Sequence, residues 1–223
     1  MLTLATWNRL PDLRHGFLDR QAREGIGGWG LADSGDPTGP VVVPRQVHGT
    51  AVVTARPGVA RPEADGLVTA TPGQFVGVVT ADCVPVLLID PARRVAAAVH
   101  AGWRGAAAGV LEATLGHLEE TCGTRREDLD AVIGPAIGGC CFEIGPEVID
   151  AFRARTGDVT AAAWLPRPGR WHVDLRVAVR LLLAAAGVQA SVLGPCSVCD
   201  ARYHSYRRDG AGAGRQLSFV GWA

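Results

Sequence analysis

Short apolar runs separated by Gly, Asp and Pro are the dominant pattern along the chain. Runs of about four to eight apolar residues bounded by turn residues are typical of buried β-strands. The pattern predicts strands at residues 41–43, 51–53, 67–69, 75–80, 84–89, 95–100, 131–133 and 188–193. A segment with Asp, Pro and two Arg, residues 90–94, lies between two of these runs and predicts a hairpin.

Apolar residues at helical spacing predict three helices. The first covers residues 106–121, where three leucines form one face and Gly123 follows as a C-terminal cap. Two more are predicted at residues 146–155 and 175–186. Asp174 caps the start of the last helix. Residues 21–40 are rich in Gly, Asp and Pro and predict a loop.

The composition bounds the class of protein. The chain has 223 residues and is 48% hydrophobic, which suffices for one sizeable core and predicts a single domain over residues 1–223. Its 22 basic and 22 acidic residues balance, so neither nucleic acid nor an anionic membrane is indicated as a partner. We find no signal peptide and no apolar run that would span a bilayer, and we expect a cytoplasmic enzyme with reduced cysteines.

All the basic residues are Arg, and the chain contains no Lys. This excludes Schiff-base chemistry on a lysine, a pyridoxal-phosphate lysine and a P-loop lysine. A bound phosphate must therefore be held by Arg, by backbone N–H groups or by a metal ion.

Three segments carry reactive side chains. His48 lies in Arg-Gln-Val-His-Gly, Cys83 in Thr-Ala-Asp-Cys-Val-Pro and His100 in His-Ala-Gly-Trp-Arg-Gly. The predicted hairpin places Cys83 and His100 at the same end of neighbouring strands. Two imidazoles and a thiol suit one zinc ion with an open fourth position, and they equally suit a Cys–His nucleophilic site. The residues alone leave both alternatives open.

Polar residues beside these three carry further expectations. Asp82 precedes Cys83 and could orient a ligand or shuttle a proton, although capping the turn is an ordinary alternative. Arg45 and Arg104 flank the two histidines, which indicates an anion site for phosphate or carboxylate. We assign Arg45, Gln46 and Arg104 to substrate or phosphate binding.

Cys196 and Cys199 form a Cys-x-x-Cys pair. A zinc ribbon needs a second such pair, and the adjacent Cys140 and Cys141 have the wrong spacing for one. We therefore predict buried structural thiols at these positions.

Several blocks in the same order resemble the YfiH family, whose members are often labelled multicopper polyphenol oxidase or laccase-domain proteins. The resemblance runs from about His15 to the C-terminus. Its blocks are His15-Gly16-Phe17, Arg45 to Gly49, Ala64-Asp65-Gly66, Thr80 to Pro85, His100 to Gly105, Gly134 to Gly138, Cys141 to Gly145 and Ser205 to Gly210.

The resemblance implies a fold and a function. The family fold is α+β, a single domain with α/β/β/α layers and mixed β-sheets. Family members look like purine nucleoside phosphorylases that also cleave methylthioadenosine and deaminate adenosine. They carry zinc on the residues that correspond to His48, Cys83 and His100. Some relatives are linked instead to editing of peptidoglycan precursors.

This chain departs from the family pattern at residues 18–43. Family members usually have a Gly-rich loop and a further helix there, whereas this stretch is short and lacks a helical pattern, so contacts that the missing segment would make to the substrate differ.

The copper label can be compared with the histidines of the chain. A multicopper oxidase needs a blue-copper site and a three-copper cluster with many His in His-x-His pairs. The chain has six His and no such pair, which argues against copper oxidase chemistry.

The sequence therefore predicts a zinc-dependent purine nucleoside phosphorylase that also deaminates adenosine and cleaves methylthioadenosine. Zinc is the expected cofactor, with copper less favoured, and purine nucleosides and phosphate are the expected ligands. A Cys–His amidase with Cys83 as nucleophile and a zinc-stabilised binding protein without activity are the alternatives. The oligomeric state is left open.

Overall fold

Two β-sheets, a small third sheet and helices make up the fold. The computed structural model describes residues 1–22, 41–56 and 61–223. Most of the loop predicted at residues 21–40 lies outside the described residues.

The larger sheet has six strands and carries the predicted hairpin. Its spatial order is β12-β8-β6-β7-β4-β3, with parallel pairing at both edges and antiparallel pairing in the middle. The strands are β3 (Val52–Thr54), β4 (Gly66–Thr69), β6 (Val84–Asp90), β7 (Val95–Ala101), β8 (Asp130–Ile133) and β12 (Ala190–Val192).

The second sheet has four strands in the order β1-β13-β5-β2, and only the β2–β5 pair is parallel. The strands are β1 (Leu13–Phe17), β2 (Val41–Val42), β5 (Phe75–Thr80) and β13 (Gln216–Trp222). A small antiparallel sheet holds the remaining strands, β9 (Glu143–Ile144), β10 (Trp164–Arg167) and β11 (Arg170–Val173).

The two larger sheets stack face to face, and helices cover the other face of the six-stranded sheet. Strand β6 shows both contacts, because every one of its residues is buried. Val84, Val86 and Leu88 pack in the cluster that contains the helices, whereas Leu87 and Ile89 pack between the sheets. Burial on both faces explains why this strand is an unbroken apolar run.

The helices differ from the prediction in their bounds. The run predicted at residues 106–121 begins earlier and is broken into α1 (Trp103–Ala108) and α2 (Val110–Cys122). Gly109 separates them with φ 102°, and a side chain there would collide with the guanidinium of Arg155. The later helices are α3 (Pro146–Thr156), α4 (Leu175–Ala185), with the predicted Asp174 cap, and α5 (Tyr206–Asp209).

The α+β class with mixed sheets is confirmed. Three of the expected layers are present, since α2, α3 and α4 all pack in the cluster on one face of the six-stranded sheet. The outer face of the four-stranded sheet carries a separate apolar cluster and no helix among residues 1–22, 41–56 and 61–223. None of the described helices has the length and apolarity needed to cross a membrane.

Candidate metal centre and cavity

The hairpin of β6 and β7 positions Cys83 and His100. Val84 pairs with Ala101 and Pro85 with His100, so Cys83, which comes directly before β6, lies next to the end of β7. His100 is almost fully buried. The predicted proximity of the thiol and this imidazole is therefore present.

His48 reaches the same place from a loop between β2 and β3. Its backbone has φ 61°, a left-handed conformation that is uncommon outside Gly. The carboxylate of Asp65 holds this loop by accepting hydrogen bonds from the N–H groups of Val47 (3.3 Å), His48 (3.0 Å) and Gly49 (2.7 Å). A single buried acid therefore fixes the unusual backbone that presents His48.

Asp65 also orients His100. Its Oδ1 lies 2.8 Å from His100 Nδ1, and its side chain is fully buried. A carboxylate on one ring nitrogen leaves the other nitrogen, Nε2, to face the site, as behind the histidine ligands of metalloenzymes. Asp65 is not among the site residues predicted from the sequence, where it appears only in the Ala64-Asp65-Gly66 block of the resemblance.

The three side chains converge. Their ligand atoms all lie within 4.8 Å of one another, and Cys83 Sγ is 3.9 Å from His48 Nε2. The two imidazole rings have centroids 4.8 Å apart and are nearly perpendicular. Gly102 lies against all three, and a Cβ there would be 3.0 Å from His48 Cδ2 and 3.2 Å from Cys83 Sγ. A side chain at this position would therefore push His48 and Cys83 away by a few tenths of an ångström.

The electrostatics of the group favour a thiolate. Burial alone would raise the pKa of Cys83, but hydrogen bonds from His100 and His48 outweigh burial and lower the pKa to about 6. Burial would lower the pKa of His100, but Asp65 and Cys83 raise it to about 9. In the metal-free chain the pair is therefore a thiolate and an imidazolium, and a metal ion would replace the proton of His100.

The donor set fits zinc. Two imidazoles and one thiolate are ligand types of an open, catalytic zinc site, and a carboxylate that holds the far nitrogen of a histidine ligand is its usual neighbour. A blue-copper site uses the same three ligands with an axial Met. The single Met of the chain, Met1, lies beside Gly16 in β1 instead. The axial Met that is usual in blue copper is therefore absent from this group.

The group opens onto a cavity of about 720 Å³. Five guanidinium groups line it, and among the described residues Asp82 is the only acid in its lining. The five are Arg45, Arg61, Arg104, Arg207 and Arg215. Within the described residues only Arg45 among them has a carboxylate partner, Glu63. The cavity is therefore strongly positive and suited to an anion.

The other predicted site residues also line the cavity, with distinct contacts. Gln46 uses both ends of its amide on the backbone of Val79, donating to its C=O and accepting from its N–H, each at 2.8 Å. Arg104 lies over the ring of Trp103, with its Cζ 4.4 Å from the centroid. Gln46 thus braces the cavity wall, whereas Arg104 has no carboxylate partner among the described residues.

Asp82 has a bracing contact rather than a contact to the ligands. It has φ 87°, and its carboxylate accepts hydrogen bonds from Ser197 Oγ (2.6 Å) and from the Arg207 N–H (2.6 Å). These bonds tie the turn before Cys83 to the C-terminal part of the chain. The orienting role suggested for Asp82 belongs, for His100, to Asp65.

The four remaining cysteines of interest lie together, apart from this group. The prediction of buried thiols is wrong for two of them, because Cys140 and Cys199 are exposed while Cys196 is buried. The Sγ atoms of Cys140, Cys141, Cys196 and Cys199 lie within 4.8 Å of one another. Linear spacing concealed this, because the pairs come from loops far apart in the chain.

Comparison with known proteins identifies the family. Residues 31–223 match the family described as multi-copper polyphenol oxidoreductase laccase. A purine nucleoside phosphorylase of Deinococcus radiodurans is 43% identical over 179 residues, which cover 79% of this chain and 68% of that protein. The adenosine deaminase RL5 of an unknown prokaryote is 37% identical over 199 residues, covering 81% and 74%.

Solved structures agree with the sequence comparison. YfiH from Bacillus licheniformis is 33% identical, with a TM-score of 0.76 and coverage of 82% of this chain and 74% of that one. YlmD from Geobacillus stearothermophilus is 32% identical, with a TM-score of 0.75 and coverage of 82% and 73%. The resemblance that the sequence motifs indicated is confirmed: this chain belongs to the YfiH family, described as multi-copper polyphenol oxidoreductase laccase.

Proposed function

We propose that this chain is a zinc-dependent purine nucleoside phosphorylase that also deaminates adenosine and cleaves methylthioadenosine. One observation carries the proposal: the convergent His48, Cys83 and His100 open onto a cavity lined by five arginines, four of which have no carboxylate partner among the described residues. The names of the relatives, purine nucleoside phosphorylase and adenosine deaminase, support the same chemistry. Purine nucleosides and inorganic phosphate are the proposed ligands.

His48, Cys83 and His100 would hold the zinc ion, because they are the ligand types of an open zinc site. When bound, zinc supplies Lewis acidity, which makes a water molecule acidic enough to act as a nucleophile at neutral pH. Asp65 keeps His100 in the tautomer whose free nitrogen faces the other two side chains. Asp82 is the proposed proton shuttle for deamination, since no other acid lines the cavity within the described part of the chain.

The arginines would bind phosphate. Arg104, Arg207 and Arg215 line the cavity without a carboxylate partner among the described residues, so each retains its charge for a ligand. Guanidinium groups match the oxygens of phosphate in a bidentate geometry. For phosphorolysis they would hold the anion against the anomeric carbon as the sugar gains positive charge. Arg45 is neutralised in part by Glu63, so we assign it a smaller share.

The rest of the lining suits a nucleoside. The volume falls in the range of small-molecule sites, and Trp103, Phe142 and Tyr206 contribute aromatic surface for a purine. Thr80 lines the cavity with a buried hydroxyl that has no hydrogen-bond partner within the described part of the chain. An unpartnered buried hydroxyl is costly, and a polar group of the ligand would relieve that cost.

The runner-up is a Cys–His amidase that acts on a peptidoglycan precursor. Its support is the low pKa of Cys83, which makes the thiolate available at neutral pH when no metal is bound. In that enzyme Cys83 would attack an acyl group and remain covalently attached until water releases it.

Incubation of the purified chain with inosine, adenosine and methylthioadenosine tests both functions. We expect release of the free base to require phosphate, deamination of adenosine to proceed without it, and chelation to abolish both until zinc is restored. A zinc-loaded protein that turns over none of the three nucleosides would contradict the purine proposal. An acyl adduct on Cys83 of the metal-free protein, detected by mass spectrometry, would support the amidase instead.

A further inference from the structure

A second group of metal-ligand side chains lies outside the cavity. Cys140 and Cys141 follow β8 on one loop, and Cys196 and Cys199 follow β12 on another. Cys199 Sγ lies 3.6 Å from Cys140 Sγ and 3.4 Å from Cys141 Sγ, and all four sulfurs lie within 4.8 Å. Tetrahedral coordination with zinc–sulfur bonds of about 2.3 Å places sulfurs about 3.8 Å apart. The distances of 3.6 and 3.4 Å from Cys199 are slightly shorter than that spacing, and the 4.8 Å limit on the remaining pairs is compatible with it.

Backbone hydrogen bonds preorganise the two loops. Gly138 donates its N–H to Cys196 Sγ at 3.2 Å, which stabilises a thiolate. Ser197 donates its N–H to the carbonyl of Ala136 at 3.0 Å, so the loops are joined directly beside the sulfurs. Cys141 donates its N–H to the carbonyl of Gly138 at 2.9 Å, closing a tight turn. The four thiols therefore project from two fixed turns rather than from mobile chain ends.

The charges around the sulfurs also suit a metal thiolate centre. Four thiolates on a divalent ion carry two net negative charges. Arg176 lies against this group, since its guanidinium and Cys140 Sγ both border Gly138, and Arg207 donates to the carbonyl of Cys141 at 3.2 Å.

We propose that Cys140, Cys141, Cys196 and Cys199 bind a second zinc ion in a closed, structural tetrathiolate site. Four protein sulfurs leave no position for water, which is the arrangement of structural zinc and not of catalytic zinc. The site is thus distinct in ligands and in role from the group at His48.

The location gives this zinc ion a function in the fold. Two cavity-lining residues are close to the four cysteines. Phe142 directly follows Cys141, and Arg207 donates to the carbonyl of Cys141. Ser197, between Cys196 and Cys199, donates its hydroxyl to Asp82 at 2.6 Å. A metal ion that clips the two loops together would therefore hold one wall of the cavity in place and, through Asp82, the turn that presents Cys83.

Zinc content measured by mass spectrometry on the intact, zinc-loaded chain tests the proposal. We expect about two zinc ions per chain in the wild type and about one in Cys199→Ser, a substitution at an exposed position. Cys83→Ser should also fall to about one, and Cys122→Ser, which lies outside both groups, should keep both ions. Because the readout is bound zinc, failure of the purine activity would leave this result unaffected.

X-ray absorption at the zinc edge of Cys83→Ser tests the proposal while all four cysteines of the proposed site stay unchanged. We expect a shell of four sulfurs at about 2.3 Å and no nitrogen in that variant. Unchanged zinc content in Cys199→Ser would overturn the proposal. A disulfide from Cys199 to Cys140 or Cys141 in the protein as isolated would overturn it in favour of a redox pair.

Discussion

The two cysteine-containing groups of this chain differ in the number and type of their potential metal ligands and in their surroundings. One combines a thiol with two imidazoles, has a buried carboxylate behind it and faces a positive cavity. The other has four thiols, backbone N–H groups behind it and no carboxylate or imidazole among its ligand atoms. The number of protein ligands and the adjacent space, rather than the presence of cysteine, therefore distinguish an open catalytic metal site from a closed structural one.

Removal of a ligand from the open group should have the largest effect. His100→Ala removes a ligand and the partner of Asp65, so nucleoside turnover should fall by about 10³-fold or more. The zinc held by the four thiols should remain. His117→Ala, a histidine on the surface of α2, serves as the control and should keep full activity. Loss of both zinc ions in His100→Ala would show that the two groups are not independent.

Asp65 contacts a potential metal ligand, His100, whereas Asp82 contacts Ser197 and Arg207, so their substitutions should have different effects. Asp65→Asn weakens the carboxylate contact to His100, so zinc affinity of the open group should fall by about 10- to 100-fold. Asp82 contacts no ligand side chain, so Asp82→Asn should leave zinc affinity unchanged while it lowers turnover. Zinc titration with a competing chelator measures both. Equal losses of zinc affinity would remove the distinction between orienting and bracing.

Arg104 tests whether the cavity beside the open group is a phosphate site. Arg104→Gln should raise the KM for phosphate by about tenfold or more, because a charged hydrogen bond contributes about 1.5–3 kcal/mol. Deamination of adenosine, which consumes no phosphate, should change little. Arg104→Lys keeps the charge without the fork of donors and should recover part of the loss. Equal effects on phosphorolysis and deamination would instead place Arg104 at the nucleoside.

The pH dependence of alkylation separates the two groups by the smallest effect. In metal-free protein the rate at Cys83 should be half-maximal near pH 6 and approach its plateau about one pH unit higher, because only the thiolate reacts. Burial and the neighbouring thiols raise the pKa of Cys141, which predicts a rate at Cys141 that still increases above pH 9. Iodoacetamide labelling followed by peptide mass spectrometry measures both. A midpoint near pH 9 at Cys83 would show that the histidines do not stabilise its thiolate.

Local patterns predicted the parts of the site that local geometry determines. The hairpin of β6 and β7 follows from two apolar runs and a turn, and it places Cys83 beside His100 without further information. The segment after His100 continues directly into α1, so Arg104 and Gly105 lie inside the helix and Gly102 is its N-cap. The start of α1 at Trp103 was missed because the predicted helix began after Gly105.

The remaining parts depend on contacts between distant segments. His48 needs the left-handed backbone that Asp65 holds, and no pattern in its own segment encodes that contact. A signal for Asp65 was present, since an acid between Ala64 and a strand of apolar residues needs an internal partner. Strand β13 alternates weakly and was not predicted, although it forms the centre of the four-stranded sheet together with β5.

The family description and the chain differ on copper. All six histidines lie in the described residues, and among those residues only His48 and His100 enter a group of metal ligands. A three-copper cluster would need more histidines than that group provides. The family label therefore describes descent better than chemistry in this chain.

His48 and Asp82 both keep a left-handed backbone that L-residues other than Gly adopt at a cost of about 1–2 kcal/mol each. Selection for thermal stability alone would therefore reward Gly at position 48, since Gly adopts this backbone freely. At position 82 the two hydrogen bonds that the carboxylate accepts offset the cost of the backbone. A His48→Gly variant would gain melting temperature and lose one of the three proposed metal ligands. A screen for more thermostable variants of this chain, run without an activity assay, would therefore select variants that have lost activity.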